Sequence, residues 1–250
     1  MPEFLVTPEG RRIAYERKPG SGPGVVFLGG FRSDMTGTKA QALEAWALAQ
    51  GRAFLRFDYS GHGQSSGDFL DGAIGDWAAD ALVAITALTE GPQVLVGSSM
   101  GGWISLLCCK ALGGRVAGLV TIAAAPDFTE DAMWAGFDPA QRVQLTRAGR
   151  VELPSEYSDG PYVITRRLIE EGRDQLVLRS PLQLPFPVRF LQGTADVDVP
   201  PATALRLLDH TQGPDIRLTL VKGADHRFSS PDCLALIEAA VADVLARGAA

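Results

Sequence analysis

Six apolar, strand-forming runs punctuate the chain, at 24–28, 53–58, 93–96, 116–123, 188–192 and 216–221. Helical patterns separate most of them. In 76–89, Trp77, Ala81, Ile85 and Leu88 fall on one face. In 230–248, Ser230 offers an N-cap, Pro231 the first helical position, and Leu234, Ile237, Val241 and Val244 an apolar stripe. A strand that reads as a continuous apolar run is usually buried on both faces. Alternation with helices therefore predicts an α/β fold with a mostly parallel sheet and helices on both faces. Two short pieces around Pro8-Glu9-Gly10 add an N-terminal hairpin. The 250 residues suit a single domain, 1–250. The segment 126–185 breaks the alternation. It is too long for an ordinary connection and carries Trp134, Phe137, Tyr157 and Tyr162, which predicts a helical lid inserted between strands.

Composition narrows the partners. Net charge is −6 with no long basic run, which argues against nucleic acid. No apolar stretch is long enough to span a bilayer, so stable membrane insertion is not expected. The first twenty residues hold no secretory signal and no recognisable mitochondrial transit pattern, and the expected location is cytoplasmic. Cys108, Cys109 and Cys233 lack metal-ligand spacing and read as small buried thiols. No sequence pattern sets an oligomeric state.

In an open parallel sheet, ligands bind beyond the carboxyl ends of the strands. There the sequence reads VLVGSSMGGW (94–103), a G-x-S-x-G match between a strand-like and a helix-like segment. A turn this tight needs small flanking residues, here Gly97 and Gly101, and its centre is Ser99. Ser99 is the expected nucleophile, and Ser98 a structural neighbour. A hydroxyl needs a base. Of the three histidines, His226 sits in a loop directly after a strand, whereas His62 reads as a loop residue near the site and His210 as a helix-end residue. The base needs an acid, and LQGTADVDVP (191–200) supplies Asp196, with Asp198 as its rival. Backbone N–H groups of Phe31, in the Gly29-Gly30-Phe31 loop, and of Met100 are the expected oxyanion donors. Arg32 is expected either to pair with Asp34 or to meet an anionic substrate group. Trp134 and Tyr157 are the candidate apolar contacts for substrate.

These segments, with RFDYSGHGQSSG (56–67), Thr36-Gly37-Thr38-Lys39-Ala40 and GADHRF (223–228), resemble the α/β-hydrolase superfamily over nearly the whole chain. Within it they look like the palmitoyl-protein thioesterases that also cleave acyl glucuronides. The resemblance implies an α/β-hydrolase fold and a serine esterase or thioesterase acting on a small-molecule or acylated-protein substrate. It implies Ser99, Asp196 and His226 as the triad, a lid over the acyl pocket, and no metal or organic cofactor. A carbon–carbon or peptide hydrolase, an acyltransferase and a non-catalytic binding protein on the same fold remain the rival readings.

Overall fold

The structure is a computed structural model and describes residues 2–153 and 162–248. The chain opens with an antiparallel hairpin, β1 (Glu3–Val6) and β2 (Arg12–Lys18). Strand and helix then alternate through β3 (Ser21–Leu28), α1 (Thr38–Ala49), β4 (Arg52–Phe57), α2 (Ile74–Leu88), β5 (Gln93–Ser98), α3 (Met100–Leu112) and β6 (Val116–Ile122). An insertion follows with α4 (Pro139–Ala148), β7 (Arg150–Leu153), β8 (Tyr162–Thr165), α5 (Arg166–Gly172) and the two-residue β9 (Leu182–Gln183). The main pattern resumes with β10 (Val188–Gly193), α6 (Pro201–His210), the two-residue β11 (Thr211–Gln212), β12 (Ile216–Val221) and α7 (Pro231–Gly248).

The main sheet has eight strands in the order β1-β2-β4-β3-β5-β6-β10-β12. β2 pairs antiparallel with both β1 and β4, and every pair from β4 to β12 is parallel. The apolar runs are read by the pleat. Val26, Leu28 and Leu95 point to one face, against Trp77, Ile85 and Trp103 of α2 and α3. Their neighbours Val25, Phe27, Val94 and Val96 point to the other, against Leu43, Ile237, Val241 and Val244 of α1 and α7. Both layers are needed, because each buried aliphatic side chain contributes about 1.5–3 kcal/mol and neither face of these strands is polar. The edge strand β12 alone among the parallel strands is half exposed.

The insertion departs from a purely helical segment. Besides α4, α5 and a π-helical turn at Thr129–Trp134, it contains an antiparallel ribbon in which β7 pairs with β8. Val151 faces Ile164 across that ribbon, and both are buried, which suits β-branched residues on a pleated surface. Buried Asp127 ties the two ends of the insertion together. Its carboxylate accepts the N–H groups of Val177 at 2.8 Å and Leu178 at 3.0 Å, and pairs with Arg179. Glu171 of α5 accepts the Gly75 N–H at the start of α2, and Trp103 Nε1 donates to the Gln175 carbonyl at 3.0 Å.

Candidate active site

The carboxyl ends of β3, β4, β5, β10 and β12 bring five loops to one edge of the sheet. At the end of β5, Ser99 has φ 54° and ψ −118°, a conformation that L residues rarely adopt. Neighbouring backbone holds it there. The Ser99 N–H donates to Ile122 O at 2.9 Å, and Ser99 O accepts from Gly102 and Ala125. The glycines are required by contact: a Cβ on Gly97 would lie 2.3 Å from Gly101 O, and one on Gly101 would lie 2.1 Å from Leu28 O.

His226 follows β12 and stands between Ser99 and Asp196. Its Nε2 is 3.1 Å from Ser99 Oγ, and its Nδ1 is 2.9 Å from Asp196 Oδ2. A carboxylate can only accept, so Nδ1 carries a proton, and in the neutral ring Nε2 faces the serine hydroxyl with its lone pair. Asp196 follows β10 and its side chain is fully buried. Burial pushes its carboxyl up, but hydrogen bonds from His226, the Val199 N–H and Gln192, with attraction to His226, outweigh it and hold the group below its ordinary value. The structure thus brings Asp196, rather than its rival Asp198, to His226. Asp198 serves the same carboxylate through its backbone N–H at 3.0 Å.

Asp196, Asp198 and His226 place ligand-type atoms within 4.8 Å of one another, a grouping that could in principle hold a cation. Both oxygens of Asp196 are already occupied, Oδ1 by two backbone N–H groups and Oδ2 by Gln192 and His226. The arrangement therefore serves to hold an imidazole.

The loop after β3 lies against Ser99: a Cβ on Gly30 would come within 3.3 Å of Ser99 Cβ. Its next residue, Phe31, packs its ring edge-on to Phe69 and Phe128. Met100 is the first residue of α3, where backbone N–H groups lack partners within the helix. Around Ser99 and His226 opens a cavity of about 680 Å³, walled by Phe31, Phe128, Met133, Leu153, Tyr162 and Ile164, with Arg32, Asp34, Lys39, Asp198 and Arg227 as its charged members.

Other expected residues fall elsewhere. Trp134 does not line this cavity; its indole is covered by the guanidinium groups of Arg142 and Arg173, at 5.0 and 4.9 Å. Tyr157 lies outside the described residues. Arg32 forms no described pair with Asp34. Asp34 instead accepts from Thr36, and the Arg32 guanidinium lies 4.9 Å from the rings of both Phe69 and Tyr162. Lys39 emerges as a residue that the sequence did not single out for the site, and of the lid aromatics Trp134, Phe137 and Tyr162 it is Tyr162 that reaches the cavity. Lys39 donates to the Arg227 carbonyl at 2.5 Å, tying the start of α1 to the His226 loop. The phrase Thr36-Gly37-Thr38-Lys39 was the available signal for Lys39. His210 is remote from this group and meets Ser180 O. The three cysteines are buried, and burial pushes the Cys108 thiol up to about 12, which suits packing rather than nucleophilic chemistry.

Residues 25–247 match the model of the alpha/beta hydrolase family. The chain belongs to that family. Among its curated relatives is the mitochondrial palmitoyl-protein thioesterase ABHD10 of Rattus norvegicus, 36% identical over 97% of this chain and 82% of the relative. The human counterpart is 34% identical over 97% of this chain and 79% of the relative. A crystal structure of a putative hydrolase from Agrobacterium vitis superposes with a TM-score of 0.94 at 39% identity, covering 98% of each chain. Mouse alpha/beta hydrolase domain-containing protein 10 superposes with a TM-score of 0.92 at 34% identity, again covering 98% of each chain. This alpha/beta hydrolase is therefore similar along nearly all its length to relatives named as thioesterases. They also correct one expectation. The curated relatives are named as mitochondrial, so the cytoplasmic location expected from the sequence does not stand. A transit segment is no part of a folded domain, and the character of the opening residues was no guide to compartment. Among the described residues, no helix is long and apolar enough to cross a membrane.

Proposed function

We propose that this chain is a serine hydrolase that cleaves thioesters and carboxylic esters through an acyl-enzyme on Ser99. The observation that carries this reading is the continuous pair of hydrogen bonds from Ser99 through His226 to Asp196, at 3.1 and 2.9 Å. In the first step His226 Nε2 takes the hydroxyl proton as Ser99 Oγ attacks the acyl carbonyl. Buried Asp196 stabilises the imidazolium. The N–H groups of Phe31 and Met100 hold the developing oxyanion. His226 then gives the proton to the departing thiolate or alkoxide. Water, deprotonated by His226, attacks the acyl-enzyme; the carboxylic acid leaves and Ser99 recovers its proton. Proton and charge balance without a cofactor.

The cavity supports an acyl substrate. Phe31, Phe128, Met133, Leu153 and Ile164 give it an apolar wall, and Arg32 and Tyr162 give it a polar margin. The relatives are named palmitoyl-protein thioesterases, which points the same way, toward acylated proteins. The test is a series of saturated acyl thioesters and matched p-nitrophenyl esters of increasing chain length. The expected result is hydrolysis that Ser99→Ala reduces by about three orders of magnitude or more. No hydrolysis of any member, or full activity in Ser99→Ala, overturns the reading.

A further inference from the structure

The segment RFDYSGH (56–62) cradles the loop that carries Phe31. Tyr59 Oη donates to Gly29 O at 3.3 Å, Arg56 Nη1 donates to Met35 O at 2.6 Å, and Asp58 Oδ1 accepts the Met35 N–H at 2.6 Å. The contact next to Phe31 is made by His62. Its Nε2 lies 3.3 Å from the backbone N of Arg32, and its Nδ1 lies 3.2 Å from Ser60 O. A carbonyl can only accept and an amide N–H can only donate, so this pair of partners admits one tautomer: a neutral ring with the proton on Nδ1. Arg32 needs such a hold, because it has φ 56° without being glycine.

We propose that His62 is a positioning residue for oxyanion stabilisation: as a neutral acceptor of the Arg32 N–H, it fixes the adjoining Phe31 N–H beside Ser99. The inference rests on the hydrolase reading above. His62 is buried, and edges or faces of Tyr59, Phe69 and Trp77 surround it at 5.1–5.5 Å between ring centroids. The charged groups that face it are Asp80 of α2, which favours the imidazolium, and Arg32, which opposes it; Asp80 is itself engaged by Arg11 and Ser60. Burial is the largest influence and lowers the pKa of His62, which keeps the ring neutral near pH 7. Protonation would set an N–H against the Arg32 N–H and open the contact.

The experiment compares wild type, His62→Phe and His62→Gln on a short-chain p-nitrophenyl ester, with thermal unfolding of each. Phenylalanine keeps the aromatic packing without an acceptor, whereas glutamine restores an acceptor that cannot be protonated near pH 7. The expected result is a fall in kcat of about tenfold to a hundredfold for His62→Phe with KM within about twofold, since a displaced oxyanion donor is felt in the transition state. His62→Gln should recover most of that loss. On wild-type protein, 15N NMR at pH 7 should show His62 Nε2 unprotonated, and this holds as a test even if His62→Phe does not fold. A His62→Phe kcat within twofold of wild type, a glutamine variant as impaired as the phenylalanine one, or a protonated Nε2 overturns the inference. Wild type that hydrolyses the ester and labels at Ser99 with a fluorophosphonate, beside such a result, locates the failure in His62. Wild type that does neither locates it in the hydrolase reading.

Discussion

Asp198 donates its backbone N–H to the carboxylate of Asp196 at 3.0 Å. Two aspartates that look alike in the sequence are thereby unequal: one faces His226 with its side chain, and the other steadies that side chain with its main chain. Asp196→Asn should lower kcat by about 10³–10⁴, because an amide leaves the imidazole with the wrong tautomer. Asp198→Ala keeps the supporting N–H and should cost less than about tenfold. Steady-state kinetics of the two variants on one ester decides; equal losses would contradict the assignment of Asp196.

Ser99 carries backbone strain at φ 54°, and only glycine adopts such a region freely. Ser99→Gly should abolish hydrolysis while stabilising the fold by about 1 kcal/mol, or roughly 2–4 °C in Tm for a chain of this size. Calorimetry beside an activity assay checks both halves. A variant that is inactive and also less stable would show that the elbow is not strained.

Asp127 closes the insertion on itself. Asp127→Ala strands the buried N–H groups of Val177 and Leu178, which should cost about 2–4 kcal/mol. Phe128 directly follows Asp127, Met133 lies in the next helical turns, and both line the cavity, so KM should rise with the loss of stability. Urea unfolding with kinetics on a long-chain acyl substrate measures both; an unchanged midpoint would mean the insertion is held elsewhere.

Asp196 also sets a pH dependence. Its folded pKa lies below the ordinary 3.8, so the unfolded chain binds its proton first as pH falls. The stability it adds is therefore complete above pH 3.8 and is lost as pH drops through the lowered value. Urea midpoints of wild type and Asp196→Asn between about pH 6 and pH 3 should converge toward the acid end. A gap that stays constant with pH would mean Asp196 is not held by its ionised form.

The parallel sheet was legible because strands buried on both faces write continuous apolar runs, and Val94-Leu95-Val96 is one such run divided between two cores. Ser99 and His226 were legible because each follows a strand at the edge where ligands bind. The insertion was less so. The β7–β8 ribbon is only four residues a side, too short for a periodicity to show, and its long-range pairing is what makes it a strand. Trp134 resembled a substrate contact in the sequence, but Arg142 of α4 and Arg173, which follows α5, cover it. The role of His62 was hidden for the same reason: its partner, the Arg32 N–H, belongs to a loop that only the fold brings near.

The central claim is that Ser99 becomes acylated. Rapid-quench incubation with a long-chain acyl thioester, followed by proteolysis and mass spectrometry, tests it most directly. The account predicts one acyl adduct in the wild type, on the peptide containing Ser99, and none in Ser99→Ala. An adduct on another residue, or thioester turnover that persists in Ser99→Ala, would contradict it.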